Sequence, residues 1–207
     1  MTIIDICNEA LVTHIGARAI SSLTESSQEA RVCNAAYDSC RRSVLRDHPW
    51  KFAEAREVLA SVTLPDQYAE WDYAYAYPSD CLIIRKVTAD GATSVTDEGI
   101  DYDTQLYTNP TTSVQSKIIL AATDEAVLTY TKDVENSEFY DAQFSELLAL
   151  RLASKIALPL TKRVQLRDAL LQQYQFFLNR SKSVDTLEAT VRKDDSDDAW
   201  IDDRFGS

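Results

Sequence analysis

Glycine is scarce in this chain, with four residues in 207, and Gly16, Gly91, Gly99 and Gly206 lie too far apart to form a G-x-G-x-x-G or Walker loop. Backbone that cradles phosphate needs clustered glycines at a strand-to-helix turn, so nucleotide binding of those kinds is excluded. Histidine is scarcer still. His14 and His48 have no histidine or cysteine at metal-ligand spacing, and their positions near helix ends predict structural roles. The four cysteines, Cys7, Cys33, Cys40 and Cys81, form no C-x-x-C pair; the seven-residue step from Cys33 to Cys40 puts both on one helix face, and buried reduced thiols are expected. No run reaches the roughly 18 apolar residues of a bilayer span. The polar start also lacks the basic and apolar regions of a secretory leader, so a cytoplasmic origin is expected.

Positive charge is the other shortage. Lys and Arg number 21 against 33 Asp and Glu, a formal net charge of -12. A protein that grips a nucleic-acid backbone needs clustered cations to displace counterions, and this balance argues against that role. It permits the opposite one, because DNA slides past an acidic wall without sticking. Arg41, Arg42 and Arg46 make one compact basic patch, read as a solvated helix face or as ion-pair partners for an acidic neighbour. Carboxylate pairs such as Asp101 with Asp103 and Asp202 with Asp203 sit in polar stretches where nothing would drive their pKa values apart, so they are read as solvated charges.

What the chain has in abundance is helical periodicity at its two ends. In 137–193, Tyr140, Phe144, Leu148, Leu152 and Ile156 recur every four residues with Leu147 beside them, and Leu166, Leu170, Leu171, Tyr174, Phe177 and Leu178 repeat the pattern after Pro159. Proline lacks an N–H and crowds the preceding turn, so the pattern predicts two helices broken at Leu158-Pro159-Leu160 and folded back as a hairpin. Near the start, Ile3, Ile4, Cys7, Leu11 and Ile15 predict a short amphipathic helix ended by Gly16. A second runs through Ala30, Cys33, Tyr37, Cys40 and Val44, opened by a capping box of Ser26 and Glu29 and stopped at His48-Pro49, with Arg31, Asn34, Asp38, Arg41 and Arg42 on its other side.

Between these ends the texture is short β-type runs. Trp71, Tyr73, Tyr75 and Tyr77 alternate strictly, which predicts four rings on one face of a strand. Such a face serves a β core or a subunit interface, or stacks sugars or bases. A strand follows over 81–87, turns at Asp90-Gly91 and Glu98-Gly99, a loop over 108–112, and a closing hairpin of 117–121 with 126–131 around Thr123-Asp124-Glu125. After Lys193 comes the acidic run 194–198 and then Trp200, Ile201, Arg204 and Phe205. The composition predicts an extended arm whose anchors order on a partner, or one that packs back on its own domain. The fold class is thus α+β: a four-helix bundle from both chain ends (1–50 and 133–193), an inserted antiparallel β module (51–132) and an extended acidic C-terminal arm (194–207).

Three passages resemble a known family. Ala35 to Leu45 with the stop at His48-Pro49-Trp50-Lys51-Phe52-Ala53, the passage Tyr73 to Asp80 whose aromatic strand ends in Tyr77-Pro78-Ser79-Asp80-Cys81 and looks like a Y-x-x-P-x-D-x-L pattern, and the return through Phe139 to Phe144 and Leu152 to Ala157 are similar to phage head-to-tail connector proteins. The family is the tail tubular protein A-like adaptors of short-tailed bacteriophages, and the resemblance runs from about Ile6 to the last helix. It implies a structural virion protein of the tail, assembled in the host cytoplasm, with no catalysis, cofactor or metal. Such adaptors form a homo-oligomeric, dodecameric ring between the portal protein and the tail nozzle protein, and double-stranded DNA passes through their channel without specific binding. In this frame Trp200, Ile201, Arg204 and Phe205 are expected to bind the portal, and Trp71, Tyr73, Tyr75 and Tyr77 are candidates for a subunit interface. The competing classes are a small hydrolase using surface carboxylates and a monomeric carbohydrate-binding module using the tyrosine strand.

Overall fold

A computed structural model describes residues 1–89, 99–109 and 112–197, with side chains through Lys182. The fold is α+β, and the chain divides into two compact units: Met1–His48 together with the residues from Tyr140 onward, and the contiguous stretch Pro49–Phe139.

In the first unit, helix α1 (Ile3–Asn8) opens on Thr2, whose hydroxyl accepts from the Asp5 amide at 3.2 Å while the Asp5 carboxylate accepts from the Thr2 amide at 2.8 Å. This capping box satisfies two backbone donors that the first turn leaves without partners. The helix widens into a π-helical stretch, Glu9–Ile15, and ends as predicted at Gly16, which takes the left-handed conformation with φ of 72°. Helix α2 (Gln28–Asp47) corrects the expected cap by one residue. Ser27, not Ser26, accepts from the Ala30 amide, at 3.1 Å, because the turn begins at Gln28 and the accepting side chain must sit immediately before it.

Helix α3 (Ala142–Thr161) is the centre of this unit. Asp141 caps it, accepting from the Phe144 amide at 2.6 Å. Phe144, Leu147, Leu148, Ala149, Leu150, Leu152, Ala153, Ile156 and Ala157 are all buried, more than the single stripe the sequence predicts, because α1, the π-helical stretch, α2 and α4 all pack on it. Pro159 does not end the helix. α3 continues two residues further, since proline's fixed φ fits a helix and only the backbone acceptor one turn back loses its bond. The end comes at Lys162, with φ of 60° and its amide bonded to the Leu158 carbonyl at 3.0 Å. Helix α4 (Val164–Asp197) then packs on α3 through Leu170, Tyr174 and Leu178. It runs past Lys193, so Asp194 to Asp197 are helical backbone and not the start of an extended arm. Neither glycine nor proline occurs between Pro159 and Gly206 to stop it.

The second unit holds two antiparallel sheets. One is ordered β1-β7-β4, from β1 (Glu54–Val58), β7 (Ala126–Lys132) and β4 (Cys81–Ala89); the other is ordered β2-β3-β6-β5, from β2 (Ser61–Val62), β3 (Tyr73–Ala76), β6 (Gln115–Ala121) and β5 (Tyr102–Thr108). The expected hairpin of β6 with β7 is therefore wrong: β6 pairs with β3 and β5, and β7 with β1 and β4. The reason lies in Ile118, Ile119, Leu120 and Ala121, all buried, which need cover on both faces of their strand. Ile119 and Ala121 enter a core shared by both sheets with Tyr75, Val87, Leu128 and Tyr130, while Ile118 and Leu120 face the opposite way with Ala74. The chain crosses between the sheets over residues 122–125, where Glu125 takes a left-handed φ of 53°. The predicted turn at Asp90-Gly91 and the residue Glu98 of the next turn lie outside the described residues.

Candidate functional site

The tyrosine strand is divided among three environments. Tyr75 is core, 1% exposed, and its hydroxyl donates to the Thr123 carbonyl at 2.6 Å. Tyr73 stands at the surface. Tyr77 follows the strand; its ring carries the Lys117 ammonium 3.8 Å from the centroid, and its hydroxyl accepts from the Cys81 thiol at 3.3 Å. Trp71 precedes the strand and packs with Tyr68 and Tyr107 against the Ala74, Ile118 and Leu120 cluster. The four rings thus do not share one face. Alternation holds only where the backbone is extended, and Trp71 lies in a bend before β3 begins.

The Y-x-x-P-x-D-x-L passage is a structural clasp. After the turn at Pro78, where the Cys81 amide bonds the Pro78 carbonyl, the Asp80 carboxylate accepts from the Tyr130 hydroxyl at 3.1 Å and pairs with the Lys132 ammonium at 3.0 Å. Partial burial pushes this carboxyl up, but the bonds from Lys132 and Tyr130 outweigh it and hold the group below the usual carboxylate range.

Beside Tyr77 the second sheet carries a cleft of about 840 Å³, lined by Val62, Pro65, Tyr77, Tyr107, Asn109 and Lys117 among others. Two rings, an amide and a cation on a wall that also carries the hydroxyls of Thr63, Thr112 and Ser116 can stack and orient a flat polar molecule. Sequence reasoning missed this cleft because Lys117 and Tyr107 come from strands whose neighbours are set by sheet topology.

Of the basic patch, Arg42 and Arg46 are exposed as expected and Arg41 is not. It is 1% exposed, one turn from both Tyr37 and Leu45 on the buried side of α2, with its Nε 3.6 Å from the exposed Asp38 carboxylate. A second basic group lies between α3 and α4, where Arg151, Ser154, Lys155, Arg167 and Leu171 line a cavity of about 220 Å³. The Arg151 guanidinium lies 5.5 Å from the Tyr174 ring centroid, Lys155 Nζ donates to Ser39 Oγ at 2.6 Å, and Arg167 holds Asp168 through two nitrogens at 2.7 and 2.9 Å. Burial pushes the neighbouring Cys40 thiol up against the pull of both Lys155 and Arg151. The Arg151 and Lys155 spacing was readable in the sequence as neighbours on one helix face.

The remaining candidates have local roles. Asp103 accepts from the Thr104 amide and the Gln105 side chain within β5. Burial lowers the pKa of His14, and His48 is the buried residue that ends α2. Cys7, Cys33 and Cys40 are buried free thiols, and Cys81 is partly buried. Among the described residues no group of His, Cys, Asp or Glu could hold a metal ion, and no helix is long and apolar enough to cross a membrane. Trp200, Ile201, Arg204, Phe205, Asp202 and Asp203 lie outside the described residues. In comparison with known proteins, no family model matches the chain and no curated protein matches it in sequence.

Proposed function

We propose that this protein is a structural virion subunit, the head-to-tail adaptor of a short-tailed phage, forming a ring between portal and tail nozzle and continuing the DNA channel. The observation that carries this reading is the interrupted helical unit: 1–48 and the residues from 140 onward pack together while a two-sheet unit is spliced between them, the order of elements expected of such adaptors. In this reading the four helices act as one bundle, and the net charge of -12 suits a bore that must release DNA. Trp200, Ile201, Arg204 and Phe205 serve as anchors for the portal. Light scattering of the protein, alone and mixed with the portal of the same phage, tests it: a ring of about twelve copies is expected. A chain that stays monomeric with portal present overturns it. Truncation after Asp197 should leave the helices folded and weaken portal attachment.

The cleft beside Tyr77 and Tyr107 favours a second reading, a monomeric module binding a sugar-like ligand. Saturable saccharide binding, abolished by Tyr107→Ala in a monomeric protein, would establish that reading in place of the first.

A further inference from the structure

Arg151 is half-buried, and none of its N–H donors bonds an acceptor among the described residues; its guanidinium lies only against the ring of buried Tyr174, 5.5 Å from the centroid. Polar groups drawn into a fold are nearly always matched, so an unmatched guanidinium calls for an occupant. One turn along α3, Lys155 gives a single bond to the Ser39 hydroxyl, and among the described residues neither cation comes within ion-pair distance of a carboxylate. Arg167 reaches in from α4. Its Nε and one Nη both end on the same oxygen of Asp168, at 2.9 and 2.7 Å, which leaves the other Nη without an acceptor among the described residues.

These three cations line one cavity of about 220 Å³ with Ser154 and Leu171. That is room for several groups the size of water, each taking about 30 Å³. The hydroxyls beside it already donate to backbone, Ser154 Oγ to the Arg151 carbonyl at 2.7 Å and Ser39 Oγ to the Ala36 carbonyl at 2.8 Å. Only cationic donors are left for an occupant, which must therefore be an anion. Charge narrows the choice further. Asp168 offsets Arg167, so the charges of Arg151 and Lys155 remain to be neutralised. A carboxylate or a phosphodiester offsets one of them, whereas a phosphate monoester brings a charge of about -1.5 to -2 at pH 7 and three acceptor oxygens. The cations are also held in advance, Arg151 by the ring whose hydroxyl bonds Asp47, Lys155 by Ser39 and Arg167 by Asp168, so little side-chain freedom is lost on binding.

We infer that this cavity between α3 and α4 binds a phosphate dianion, free or as a monoester, with Arg151 and Lys155 neutralising it and Arg167 completing its shell of donors. The site lies within the helical unit and depends neither on ring assembly nor on the cleft beside Tyr77.

Titration of the full chain with methyl phosphate at low ionic strength, followed by NMR shifts of the α3 and α4 amides, tests it. Saturable shifts centred on Arg151, Lys155 and Arg167 are expected, with dimethyl phosphate and acetate binding about tenfold more weakly or worse. Inorganic phosphate should bind too, and whichever of the two dianions binds tighter names the source, free ion or ester. Lys155→Gln, at an exposed position, should weaken methyl phosphate by about tenfold. Asp168→Asn, also exposed, should tighten it, because Arg167 then turns its whole fork to the ligand, and a folding defect cannot imitate that gain. Absence of saturable shifts with both dianions overturns the site, as does equal binding of dimethyl phosphate and acetate, or binding that neither substitution alters. Duplex DNA with 5′-hydroxyl ends binding more tightly than methyl phosphate would give the cations to the nucleic-acid backbone and overturn it as well.

Discussion

The Tyr174 hydroxyl donates to the Asp47 carboxylate at 2.6 Å, tying the middle of α4 to the last residue of α2 across 127 positions of sequence. Burial, and then this bond, push the Tyr174 pKa up, and burial does the same for Tyr37 and Tyr130. A raised tyrosine pKa means the fold favours the neutral ring. That stability is complete below the unfolded value of about 10 and is lost as pH rises beyond it. Melting temperature should therefore hold from neutrality to about pH 10 and fall above it. Tyr174→Phe should cost about 1.5–3 kcal/mol at neutral pH and make the alkaline decline shallower. A variant as stable as the parent, with the same alkaline limb, would remove Tyr174 from both effects.

Leu148 and Leu152 are fully buried on consecutive turns of α3. Truncating either to alanine removes apolar area and leaves a space that helices packed on several sides cannot easily close. The expected loss is about 2–5 kcal/mol in urea unfolding for each. Tyr140, near the start of the helix and 8% exposed, should lose less when shortened. Parent-like midpoints for both leucine variants would show that the stripe faces a partner subunit.

Ser26 and Ser27 separate two accounts of how α2 begins. The Ser27 hydroxyl accepts from the Ala30 amide, so Ser27→Ala should cost about 1 kcal/mol while Ser26→Ala stays within a few tenths. The opposite order in thermal melts would return the cap to Ser26.

Asp80 supplies the acid limb. Its carboxyl titrates below the ordinary range in the fold, so its contribution is complete above the unfolded value of about 3.9 and is lost as pH falls through the folded one. Asp80→Asn should lower stability at neutral pH and flatten the decline between about pH 5 and pH 2. An unchanged acid profile would mean that Tyr130 and Lys132 do not depend on this carboxylate.

How far the sequence could be read depended on how local each signal was. The left-handed glycine at Gly16, the stop at His48 and the apolar spacing of α3 are decided within one or two turns, and they stand as expected. Strand partners are not local: nothing in 117–131 reveals that β6 and β7 belong to different sheets, because a short turn serves a hairpin and a crossover equally well. Short strands such as β2, two residues long, leave no period to detect, and β5 has only a polar, weakly alternating run. Tyr75 and Trp71 went to opposite sides of one sheet because the strand is shorter than the aromatic pattern. The cation pair at Arg151 and Lys155 was visible as spacing, but that neither meets a carboxylate among the described residues needs three dimensions to see.

The splicing of Pro49–Phe139 into the helical unit sets a timetable for synthesis. The inserted residues are contiguous and can collapse once the ribosome has released them. Ile6, Leu11, Tyr37 and Val44, made first, must wait for α3 before anything covers them. At about 5–20 residues per second the N-terminal helices spend several seconds with apolar faces open to solvent. The earliest segment of this protein is thus the last to find its place, and a nascent chain stalled before Ala142 offers that surface to chaperones or to other nascent copies.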